Sequence, residues 1–70
     1  MRYAIVIEKA ENNFYAYVPD LPGCIATGAS IEEVEQEIKE AIVFDLEGMR
    51  EDGITLPIPN SQVEYIDVAA

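Results

Sequence analysis

Seventy residues make one small domain, residues 1–70, and folding hides only about 60% of the surface of so short a chain. Fourteen acidic against four basic residues give a formal net charge of −10, which argues against direct nucleic-acid binding, because that affinity rests on Lys and Arg neutralising phosphates. One cysteine and no histidine rule out an internal disulfide and leave a metal staple without its usual ligands, so self-association or a partner chain is the expected reinforcement.

No charged-then-apolar leader and no long apolar run stand in the sequence. Neither secretion nor membrane insertion is expected, and a reduced, cytoplasmic setting suits the chain best. An acidic surface suits a basic partner, whose encounter it steers and accelerates. The same acidity also serves solubility alone.

Residues 2–8 predict a strand, since Tyr3-Ala4-Ile5-Val6-Ile7 is apolar on both alternating faces. Such a strand belongs inside a sheet covered on both sides. Ala10-Glu11-Asn12-Asn13 reads as a turn, and residues 14–18 as the second strand of an antiparallel hairpin. Phe14, Ala16 and Val18 share one face of it, and Tyr15 and Tyr17 the other. Leu21-Pro22-Gly23-Cys24 suits a type II turn, with Pro at the second position and Gly supplying positive φ at the third. Residues 24–27 suffice for a short third strand, after which Gly28-Ala29 lets the chain swing into a helix.

Ser30 and Glu33 form a capping-box pattern. The helix is predicted from Ile31 to about Glu51, with Ile31, Val34, Ile38, Ala41, Ile42, Leu46 and Met49 on one face. Glu32, Glu33 and Glu35 near its start and Arg50 near its end suit the helix dipole. Asp52-Gly53 supplies the stop. Prolines at 57 and 59 force an extended segment, and residues 62–68 read as a last strand. The order β-β-β-α-β defines an α+β domain, a single, largely antiparallel sheet with one long helix on one face.

One helix covers one sheet face, so Tyr15 and Tyr17 on the other hint at a dimer, a larger assembly or a partner site. Ordinary partial exposure of tyrosines explains them equally well. Phe44 and Asp45 break the helix pattern: Asp45 projects near the apolar stripe, while Val43 and Phe44 project away from it. Either Asp45 simply reaches water at the helix edge, or Phe44 is buried by a neighbouring chain.

Catalysis finds little support. Cys24 has no histidine to activate it and no nearby cation in sequence, so a buried apolar role suits it better than a nucleophile's. Ser30 is a cap, and Ser61 has no base. Glu8, Asp20, Asp45 and Asp67 could converge on Mg²⁺ as a metal-dependent nuclease would require, but their spacing is not diagnostic. No enzyme, cofactor or metal site is expected.

Several motifs in order resemble the HicB family: Pro19-Asp20-Leu21-Pro22-Gly23-Cys24, Thr27-Gly28-Ala29-Ser30, Glu32-Glu33, Glu40-Ala41-Ile42, Leu46-Glu47-Gly48-Met49, Asp52-Gly53 and Leu56-Pro57-Ile58-Pro59. HicB proteins are the antitoxin halves of HicA–HicB toxin–antitoxin pairs. The resemblance implies a degenerate ribonuclease H-like fold without ribonuclease activity. It implies a HicA-type toxin as partner, small, basic and RNA-cleaving, which the antitoxin blocks sterically, and self-association to dimers or tetramers. Many HicB proteins continue into a DNA-binding domain. This sequence stops at Ala70, so autorepression through such a domain is not expected. The alternative is a stand-alone oligomeric module without a toxin. The residues expected at a partner or oligomer interface are Tyr15, Tyr17, Asp20, Pro22, Cys24, Phe44 and Asp45.

Overall fold

Local rules set most of the backbone. The computed structural model describes residues 1–69 and contains strands β1 (Val6–Lys9), β2 (Phe14–Tyr17) and β3 (Ile25–Gly28), followed by helix α1 (Ile31–Glu51). The sheet runs β1-β2-β3 and both pairings are antiparallel. The hairpin closes with Ala10 N–H donating to Asn13 O at 2.8 Å. The Pro-Gly corner closes with Cys24 N–H donating to Leu21 O at 3.0 Å, and Gly23 takes φ +82°, as a type II turn requires.

Alternation along β2 decides the two sides of the sheet. Ala16 and, just past the strand, Val18 are buried beneath α1, and Phe14 packs against them. Tyr15 and Tyr17 point to the opposite side, which α1 does not cover. Val34 and Ile38 complete the core with Leu21 and Cys24, while Ala41, Ile42, Leu46 and Met49 pack against it from the rest of the helix stripe. Ile31, predicted on that stripe, stays exposed at the first turn.

Both helix ends are capped by their own sequence. Ser30 is extended at φ −142°, and its Oγ accepts from Glu33 N–H at 3.1 Å. The Glu33 carboxylate reaches back to Ala29 N–H, one residue earlier than the capping-box pattern places it. At the far end Gly53 N–H donates to Arg50 O and Ile54 N–H to Met49 O. These two bonds are the Schellman arrangement that turns a chain out of a helix.

Three expectations change. The chain from 54 to 69 holds no strand, so the order is β-β-β-α, still α+β. Prolines 57 and 59 donate no ladder hydrogen bonds, and beyond them the segment runs past the sheet unpaired. The first strand starts at Val6, because β2 ends at its partner Tyr17 and leaves residues 2–5 nothing to pair with. It is an edge strand, not the central one its doubly apolar sequence suggested. The third concerns Gly28. A Cβ there would sit 2.7 Å from Val34 N and 3.0 Å from Val34 Cα. Glycine is needed for close packing of β3 on α1, not for a swing of the backbone.

Candidate functional site

The uncovered sheet face is built from two cross-strand rows. Val6, Tyr17 and Ile25 stand side by side, and Glu8, Tyr15 and Thr27 form the row next to them. Tyr15 Oη donates to Glu8 Oε2 at 2.7 Å. That bond is the main reason the Tyr15 hydroxyl titrates above its ordinary value, with desolvation and the Glu8 charge adding to it. The pair pins one ring across the hairpin. Tyr17 and Ile25 form the apolar half of the face.

Apolar surface continues around the β3 edge. Ile25 is 65% exposed and, with Ala26, Thr27 and Ala41, lines a groove whose far wall is Phe44. Phe44 itself is 80% exposed. Glu37 and Glu40 line the same groove and give it a negative rim. Asp45, one residue on, is half-buried, and its Oδ2 is shut off from solvent with no hydrogen-bond partner. The simple picture of a helix-edge aspartate reaching water does not hold for that oxygen. An unpaired buried acceptor normally meets a donor from water or another chain.

The seven residues expected at an interface do not form one patch. Tyr15 and Tyr17 lie on the open face, and Phe44 and Asp45 flank the helix beyond the β3 edge. Pro22 is exposed on the corner, but Cys24 is buried in the core. Burial, with the nearby Asp45 charge behind it, pushes the Cys24 thiol upward and away from thiolate chemistry. Cys24 thus takes the buried apolar role that the sequence suits it for.

Asp20 has a different occupation. Its Oδ2 accepts from Asn60 N–H at 3.1 Å and Ser61 N–H at 3.0 Å, and its Oδ1 accepts from Ser61 Oγ at 2.8 Å. Those bonds, the Ser61 backbone first, hold its carboxyl below the ordinary range. Asp20 clamps the chain beyond the helix onto the Pro-Gly corner. Nothing in the local sequence signals this, because 40 residues separate the partners. Ile25 was likewise missed, since its exposure depends on β3 being an edge. Among the described residues no three His, Cys, Asp or Glu side chains stand together as a metal site would need, and no helix is long and apolar enough to cross a membrane.

The family whose description is HicB-like antitoxin of bacterial toxin–antitoxin system matches residues 3–69. The chain belongs to this family. It is 43% identical over 67 residues to an uncharacterized 14.9 kDa protein of Haemophilus phage HP1, covering 96% of this chain and half of the phage protein's length. A UPF0150 protein of Helicobacter pylori is 43% identical over 65 residues, 91% of this chain and 90% of its own. Among solved structures, a chain of a HicA3 and HicB3 toxin–antitoxin complex superposes with a TM-score of 0.73 at 30% identity. That match covers 86% of this HicB-like chain and 70% of the solved one.

Proposed function

We propose that this chain is the antitoxin of a type II toxin–antitoxin pair, and that it binds and sterically blocks a small, basic, RNA-cleaving toxin of the HicA type. The observation that carries the reading is the family match across residues 3–69. The structural neighbour taken from a toxin–antitoxin complex supports it. The β-β-β-α core is compatible with a degenerate ribonuclease H-like fold whose catalytic role has been lost.

The open face and the β3 edge give such a partner somewhere to sit. Tyr17, Ile25 and Phe44 offer the apolar anchors, and tyrosine and phenylalanine are enriched in the buried cores of protein interfaces. Glu37 and Glu40 offer acceptors for Lys or Arg. A protein that holds RNA must carry such cations, so the charges of the two partners are complementary. Self-association to a dimer or tetramer belongs to the same reading.

Co-expression with a HicA-type toxin encoded beside this gene tests the proposal. The expected result is a co-purifying complex and restored growth, with Tyr17→Lys and Ile25→Lys each abolishing both while leaving the helical circular-dichroism signal intact. No complex and no rescue with the adjacent toxin overturns the reading. Full rescue by both lysine variants overturns the placement of the surface.

A further inference from the structure

We infer how the partner is held: an extended segment of it adds to the outer edge of β3 as a fourth strand and seats an arginine beside Phe44. The inference rests on the antitoxin reading and gives that reading its mode of engagement. Three observations carry it: which backbone groups β3 leaves free, how this edge differs from the other, and what flanks it.

Alternation of the ladder fixes the free groups. Ala16 stands opposite Ala26 and Tyr17 opposite Ile25. The same register continues to Val18 opposite Cys24, where Val18 N–H donates to Cys24 O at 3.2 Å. In an antiparallel ladder, pairs that exchange backbone hydrogen bonds alternate with pairs that do not. Ala26 and Gly28 therefore turn their N–H and C=O groups toward β2, and Ile25 and Thr27 turn theirs outward. β3 ends the sheet, and among the described residues no turn or loop bond reaches those outward groups. Another extended backbone pairs them at the spacing of a strand.

The sequence leaves this edge undefended. β1, the opposite edge, ends in Glu8 and Lys9, the kind of charge that discourages strand pairing. β3 is Ile25-Ala26-Thr27-Gly28, with neither a charge nor a proline.

The flanking side chains select what the added strand carries. Ala26 lies on the α1 side of the sheet, packed against the core, so the partner residue opposite it points the same way. That residue enters an open groove of about 540 Å³ beside α1, walled by Glu37, Glu40, Ala41 and Phe44. No basic side chain lines it among the described residues. An arginine suits these walls: its stem runs over Ala41, and its guanidinium reaches the Glu37 and Glu40 carboxylates and stacks on the Phe44 ring. Lysine lacks the planar fork that does both. The contact also covers Phe44, which stands exposed on its own chain. Residues opposite Ile25 and Thr27 fall on the open face, where Tyr17 and Ile25 favour apolar neighbours. The incoming strand thus reads apolar-Arg-apolar.

Amide hydrogen exchange on this chain, alone and bound to the HicA-type toxin encoded beside its gene, tests the inference. Binding should slow the Ile25 and Thr27 amides by about a hundredfold or more, while Ala26, already bonded to β2, changes less. Thr27→Pro removes an outward N–H without touching the β2 ladder, and should abolish the complex with the helical signal intact. Thr27→Val should bind as the parent chain does. Isotope-filtered NMR of the complex should show a toxin arginine against the Phe44 ring. A complex in which both amides stay fast, or which Thr27→Pro forms undiminished, overturns the strand addition and leaves the antitoxin reading standing. Contacts to Phe44 from a helix, or from a residue other than arginine, overturn it likewise. Amides protected in the free chain and released on dilution would put a second copy on this edge, and overturn it too. No complex at all removes the antitoxin reading, and the inference with it.

Discussion

Asp20 shows how a single side chain can hold a long-range contact that no local pattern announces. Its carboxylate satisfies two backbone donors and one hydroxyl of a segment 40 residues away. Because its folded pKa is depressed, the clamp is in place above the ordinary carboxylate pKa and is lost as pH falls through the folded value. The Asn60 and Ser61 amide proton shifts should therefore titrate together, with a midpoint below that of a free aspartate, and Asp20→Asn should abolish the transition. A midpoint in the ordinary range would mean that the clamp is open in solution.

Two glycines give a second test at this scale. An added methyl at Gly28 meets backbone atoms of Val34, which cannot rotate away. Gly28→Ala should lower the unfolding free energy by about 1–3 kcal/mol, read from the denaturant midpoint. Gly48 lies within α1 with open space where a Cβ would go. Gly48→Ala should raise stability by up to about 1 kcal/mol. Identical effects at both sites would contradict the packing of β3 on the helix.

At the scale of elements, α1 is the best-specified part of the chain. Its stripe, its serine cap and its glycine exit agree with one another, and agreement across levels is what makes a segment fold one way. Ser30→Ala should cost about 1 kcal/mol, measured by thermal or chemical unfolding; a negligible loss would show that Glu33 alone caps the helix. The strands were less legible. Their alternation placed Ala16 and Val18 inside and the tyrosines outside, as found. It could not show that β1 would be an edge, because Tyr3 to Ile7 reads equally well for a central strand and for an edge awaiting another strand. The segment 62–68 carries the same ambiguity. Strand propensity is a capacity to pair, and it specifies no partner.

For the whole molecule, charge is the dominant property. A chain of net charge −10 should meet a basic toxin at a rate that falls steeply with ionic strength. Stopped-flow association at 50 and 500 millimolar salt should show at least a tenfold drop in the on-rate with a smaller change in the off-rate. A rate insensitive to salt would remove steering from the proposed function.

Composition alone settled several matters: the acidity, the absence of a disulfide, and the lack of any histidine base. Short-range rules settled the turn at Pro22-Gly23, the cap at Ser30, the helix to Glu51 and the α+β class. These depend on residues within about one turn of each other, where sterics and hydrogen bonding act regardless of the rest of the chain. Only the tertiary structure decided that Gly28 is a contact point and that Asp20 is a clamp. It also exposed Ile25 and left 62–68 unpaired. Each of those depends on which distant segments meet, and that is decided by burial of the whole apolar surface rather than by any local signal.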